Sequence, residues 1–163
     1  MKYMIAAIAS LLLTDIAVAH PDASHSESAT KVGVVASSAR PAAAVVDAFH
    51  AALRRGDTKA ALSHLAESAL IYEAGGVERD RKEYASHHLG ADSAFAQAVP
   101  GTVTRRAGEA VGGFAWIATE GRTTGTYKDK AIDRVTTETM VLRRVGGAWK
   151  IAHIHWSSAA GAK

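Results

Sequence analysis

From Thr102 to Ser158 the chain reads as successive strand-like runs: TVTRRAGEAV, FAWIATEGRTTGTY, AIDRVTTETMVLRRV and AWKIAHIHWSS. Only Gly-rich or Lys-Asp-Lys turns separate them. Joints that short make antiparallel neighbours, because a parallel pair needs a crossover of a dozen or more residues. Everything that reads as helix lies upstream. Pro41 suits a first helical turn, and AAAVVDAFHAALRR repeats Val45, Val46, Phe49, Ala52 and Leu53 at helical spacing before stopping at Gly56. Asp57 is placed to cap a short helix, TKAALSHL, with Leu62 and Leu65 inward. ALIYEAGG is a strand ending in a Gly-Gly turn. Asp80 and Glu83 form a capping box for RKEYASHHL, which continues past Gly90 through ADSAFAQAV. Helices first and an antiparallel sheet after them is an α+β arrangement.

Both ends of the 163-residue chain fall outside this pattern. Lys2, an apolar run from Met4 to Leu13 and the Ala17-Val18-Ala19 site fit a secretory signal cleaved after Ala19, so an exported, periplasmic or secreted protein is expected. The run is about half the ~20 residues that span a bilayer, so no permanent membrane anchor is expected. Residues 20–40 are Ser/Ala-rich and read as a linker, the domain as 41–158, and 159–163 as a tail. Cleavage would leave His20 as an N-terminal residue able to chelate copper, with an undistinguished tail as the plainer reading. The chain has no cysteine, which excludes disulfides, thiolate metal sites and cysteine nucleophiles. Its net charge of +3 comes from scattered basic pairs without interleaved aromatics, which is no nucleic-acid footprint. Histidine, tyrosine and carboxylates are left to carry any chemistry, and the sequence names no cofactor.

The closing hairpin holds the densest group of these. With Gly146-Gly147 as a two-residue turn, simple counting pairs Leu142 with Ile151, Met140 with His153, and Glu138 with His155. One face then carries Trp149, Ile151, His153, His155, Met140 and Glu138, apolar near the turn and polar beyond it. Three uses fit that face. The histidines can be hydrogen-bonded packing residues; they can face a small molecule for binding or acid/base work, with Glu138 orienting one; or they can hold a divalent ion with Glu138 or a helix histidine. The opposite face would carry Ala152, Ile154 and Trp156, an apolar row suited to homodimerisation.

Further candidates lie upstream. Tyr84 and His88 are four apart on the third helix and share a face, which favours His88 over His87 for a pocket, although both histidines on the surface is an equal reading. Periodicity with Leu70 turns Tyr72 inward and Glu73 outward. His50, on the flank of the first helix, reads as a core-edge residue rather than a functional one. Asp133, Glu120 and Arg122 stay unassigned, because a bulge at Gly121 or Gly125 would flip their face.

Three stretches, VVDAFHAALRRGDTKAAL, IYEAGGVE with its following capped helix, and TETMVLRRVGGAWKIAHIHWSS, resemble the nuclear transport factor 2-like superfamily, and within it the SnoaL-like branch. The resemblance covers about Ala42 to Ser158. It implies a cone-shaped, strongly curved sheet wrapped around about three helices, a central pocket and frequently a homodimer. It leaves function open among binding modules and enzymes. An isomerase or dehydratase of this kind would use His153 or His155 as base, Glu138 to orient it, and Tyr72 or Tyr84 to polarise a carbonyl. Tyr72, His88, Met140, His153 and His155 would line the ligand site.

Overall fold

The computed structural model describes residues 34–161. The expected export signal and the expected His20 terminus fall outside them. Helix α1 (Arg40–Arg54) packs with α2 (Thr58–His64), α3 (Arg81–His87) and α4 (Leu89–Ala98) on a six-stranded sheet. The strands are β1 (Leu65–Glu73), β2 (Gly76–Glu78), β3 (Gly101–Val111), β4 (Phe114–Tyr127), β5 (Lys130–Val145) and β6 (Ala148–Ala160), in the order β2-β1-β6-β5-β4-β3. The α+β class and the curved, unclosed sheet over helices are as the sequence predicts. One pairing refines it: β1 runs parallel to β6, so the sheet is mixed.

Local chemistry accounts for the boundaries. Asp57 Oδ1 accepts from the Ala60 amide at 2.9 Å, and Asp80 Oδ1 from the Glu83 amide at 2.7 Å, so both expected caps start their helices. Gly146 and Gly147 both have positive φ, 57° and 82°, the geometry a two-residue hairpin needs to match strand twist. Lys128 and Asp129 make the equivalent turn without glycine, at φ 49° and 62°. The packed structure begins before Pro41: Val35 bridges to Gly108, the Ala36 amide donates to Gly108 O at 2.8 Å, and Ala39 is fully buried. It also ends later than Ser158, since β6 continues to Ala160.

The core lies between α1 and the inner face of the sheet. Val46, Phe49 and Leu53 meet Leu65, Ile71, Ile117, Met140, Leu142, Ile151 and Ile154. Burying such side chains is worth about 1.5–3 kcal/mol each.

One irregularity in this core changes the face of half a strand. Leu142 pairs with Ile151 as counted from the turn, but Val141 pairs with His153, leaving Ala152 as an extra residue on β6. Beyond that bulge Met140 pairs with Ile154, and Glu138 with Trp156. The expected pairs Met140 with His153 and Glu138 with His155 therefore do not form. Because side chains alternate, one extra residue sends His153 and His155 to the outer face and brings Ile154 and Trp156 inside. Ile154 is fully buried, so the apolar row on which a dimer interface was expected is instead core.

Candidate functional site

The bulge builds a row of directly paired residues across the inner face: Glu73 with Trp156, Trp156 with Glu138, Glu138 with Thr119, and Thr119 with Arg106. Helix α1 lies over the row. One turn of it supplies Asp47 and His50, and each meets a strand residue: Arg106 Nη1 donates to Asp47 Oδ1 at 2.6 Å, and His50 Nε2 to Glu138 Oε2 at 2.7 Å. Arg106 Nε also donates to Thr119 Oγ1 at 3.1 Å. These residues border a cavity of about 1130 Å³ between α1, α4 and the sheet.

Glu138 is the centre of the row. It is only 8 % exposed. Its Oε2 accepts from both His50 and Trp156 Nε1, each at 2.7 Å, while Oε1 is buried without a hydrogen-bond partner among the described residues. Burial alone would push this carboxyl up. The His50 hydrogen bond and charge, the Trp156 donor and nearby Arg106 outweigh burial and hold it below the usual carboxylate range. Trp156 is fixed in turn by Phe49, stacked at 6.4 Å between ring centroids, and by Tyr84 at 6.5 Å.

A second acid group lines the same cavity with the opposite character. The fully buried Tyr84 donates its hydroxyl to Asp92 Oδ2 at 2.8 Å. Burial pushes Asp92 up, against the pull of Tyr84 and His88. Burial, reinforced by the charge of Asp92, also pushes Glu73 up. One wall thus holds a carboxyl below its usual range, and another raises two carboxyls above theirs.

Of the residues singled out from sequence, Glu138 lines this cavity and Tyr84 reaches it through Asp92. Met140 is buried in the core rather than in the cavity wall. His88 pairs with Glu78 on β2 and is half-exposed, so it does not join Tyr84 at the cavity. Tyr72 faces outward and Glu73 inward, the reverse of the expected alternation, because Ala69 and Ile71 are the buried residues of β1. His153 and His155 accompany Tyr72 on the outer face, with ring centroids 5.2 and 6.2 Å from it. Only the His155 position touches the cavity rim. His153 Nδ1 donates to Leu70 O at 2.9 Å. A divalent site from these histidines and Glu138 is excluded by their opposite faces. Among the described residues no three His, Asp or Glu converge on a metal position.

Sequence reasoning passed over His50, Trp156, Glu73 and Asp92. His50 reads as a core-edge residue and Trp156 as part of an outer apolar row; their polar atoms meet because the bulge turns Trp156 toward α1. Arg122 and Asp133 pair with each other through two hydrogen bonds, at 2.8 and 2.7 Å, and Glu120 pairs with Arg105. Among the described residues no helix is long and apolar enough to cross a membrane.

Comparison with known proteins agrees with this architecture. A protein of Shewanella frigidimarina, proposed to be a ketosteroid isomerase, is 41% identical; the match covers 72% of this chain and 94% of that one, with a TM-score of 0.69. A protein of Streptomyces avermitilis, proposed to be a dehydratase of the NTF2-like family, shares the fold at 18% identity and TM-score 0.64, over 76% of this chain and 98% of that one. A Xanthomonas campestris protein, proposed to be a calcium/calmodulin dependent protein kinase II association domain, does so at 21% identity and TM-score 0.64, over 80% and 96%. No curated protein matches the chain. The SnoaL-like domain pattern matches residues 42–161, nearly everything from α1 to the end of β6, and the chain belongs to that family of nuclear transport factor 2-like proteins.

Proposed function

We propose that the domain binds a small organic molecule in the cavity beneath α1 and moves a proton on it, as an isomerase or dehydratase does, using its own acid and base groups. The observation that carries this reading is the split environment of Glu138: Oε2 is anchored by two donors, and Oε1 has none. A carboxylate so held keeps Oε1 free to accept a proton once the neighbours that bury it give way. The same donors weaken it as a base, which suits an acidic proton such as one next to a carbonyl. Glu73 and Asp92, whose carboxyls burial raises above their usual range, line the far wall and are placed to return a proton. The Shewanella relative, named for ketone isomerisation, supports the reaction class.

A small β,γ-unsaturated ketone in deuterated water tests this. The wild type should incorporate deuterium and shift the double bond. Glu138→Gln should lose about 10²–10⁴ of that rate while still binding the ketone. Binding with no exchange would leave a non-catalytic pocket.

Export after cleavage at Ala19 is proposed from the sequence of residues 1–19. Intact-mass measurement of secreted protein tests it, and a retained Met1 refutes it. Homodimerisation is proposed on the outer sheet face as built, where Tyr72, Phe114, Trp116 and Val135 are exposed. Sedimentation of Trp116→Glu against wild type tests it, with a shift to monomer expected.

A further inference from the structure

The cavity continues from Glu138 along the inner faces of β4, β5 and β6. Each step of two residues adds a row, first Gly121, Thr136 and Ser158, then Thr123, Arg134 and Ala160. This floor is small or hydroxylated until it reaches Arg134. Gly121 is required in it: a Cβ there would stand 2.8 Å from Thr102 O and 3.0 Å from Thr136 Oγ1. Phe95, Ala96 and Val99, at the end of α4, give the same cavity an apolar wall. The floor of the cavity thus carries a carboxylate at one end and a guanidinium at the other.

The cations around this cavity sort into two sets. Arg106 is paired with Asp47, and Arg122 with Asp133. Arg134, Arg54 and Lys128 line the cavity as well, and none has a carboxylate within ion-pair distance among the described residues. Among the described residues Arg134 Nη1 donates only to Ser158 Oγ, at 3.3 Å. An exposed arginine on a sheet is ordinarily just solvated. Here it sits in phase with Glu138 on an unbroken stretch of β5, so both project over the same face of the cavity. They are four residue steps apart along the strand, about 13 Å at ~3.3 Å per residue.

We propose that Arg134 anchors the carboxylate of an elongated organic acid whose reacting carbon lies at Glu138. The proposal rests on the cavity being the ligand site. It adds the substrate class: an acid with roughly ten chain atoms between its carboxylate and the proton that moves, given the ~13 Å spacing. A planar guanidinium fits a carboxylate better than an ammonium does, which makes Arg134 the specificity-determining residue.

Decanoate and decan-1-ol, titrated calorimetrically below their solubility limits, form a matched pair of probes. The wild type should bind decanoate about tenfold or more tightly than the alcohol, and added salt should shrink that ratio. In Arg134→Gln the ratio should fall toward one, with the alcohol unchanged, and Arg134→Lys should restore part of it. Arg134 is exposed, so these variants should fold, as circular dichroism will show. Equal affinity for acid and alcohol in the wild type, or an unchanged ratio in Arg134→Gln, overturns the anchor and leaves the cavity reading intact. Failure of both probes to bind wild type overturns both. Loss of proton exchange alone, with the acid preference kept, sinks only the catalytic reading.

Discussion

The two faces of β6 carry nearly the same inventory and do opposite things with it. Outside, His153 and His155 stand beside Tyr72 with access to water. Inside, Trp156 stands beside Phe49 and Tyr84 and, with His50, points its polar atom at one carboxylate. The inner set has little water to compete with it, so each hydrogen bond and each unpaired oxygen counts for more. The difference between the faces is placement, and placement was decided by Ala152.

Removing that residue is the most direct way to break the contrast. Deletion of Ala152 forces β6 into one phase, so either Trp149 and Ile151 or Ile154 and Trp156 must leave the core. The expected loss is about 3–6 kcal/mol, from ~1.5–3 per large side chain exposed, and urea unfolding measures it. A deletion variant of unchanged stability would mean that the bulge is slack. Next in size is Trp156→Phe, which keeps the ring contacts and removes the donor to Glu138. A hydrogen bond to a charged group is worth about 1.5–3 kcal/mol, and loss of it should also raise the Glu138 pKa, visible by carboxyl NMR titration.

A smaller effect sharpens the electrostatic side of the comparison. The Glu138 carboxyl is held below its usual value in the folded state, so its contribution to stability is complete above the unfolded pKa, near 4.3 for a free Glu. It is lost as pH falls through the lower folded value. His50→Ala removes the principal donor and should flatten that acid-side slope in denaturation curves taken between neutral pH and about pH 3. A slope as steep in His50→Ala as in wild type would assign the acid sensitivity elsewhere. Least affected should be the outer face. His153→Ala should cost about 0.5–1.5 kcal/mol for its bond to Leu70 O, and His155→Ala within about 0.5 kcal/mol, with ligand binding in the cavity preserved for both. Abolished ligand uptake in either would return function to the outer face.

Element type and order were legible because turns and caps announce themselves: Asp57, Asp80 and the Gly146-Gly147 pair do locally what their sequence says. The site was less legible because it depends on phase, which accumulates over a strand and is lost at one bulge. A trace was present. Apolar residues on β6 fall at Trp149 and Ile151 and then at Ile154 and Trp156, odd positions followed by even ones, and that slip marks an extra residue between them. Looking for bulges at glycines instead led to Gly121 and Gly125, while Ala152 carried this one. The Ile154 and Trp156 row was recognised as too apolar to leave in water, and the core rather than a partner subunit accounts for it. His50 had no comparable trace, since its partner Glu138 is 88 residues away in sequence.

The parallel pairing of β1 with β6 ties the order of folding to the order of synthesis. β3, β4 and β5 form from local hairpins, whereas β1 cannot take its place beside β6 until the last strand exists. Glu73 reaches Trp156 only through that contact, so the acid side of the cavity is completed late. A nascent chain still lacking β6 would hold β1 paired with β2 on one side only, its other edge exposed to association with other chains. Pulse-labelled hydrogen exchange should find the β1 amides that bond to β6 protected no earlier than those of β6 itself, and their earlier protection would rule out this order.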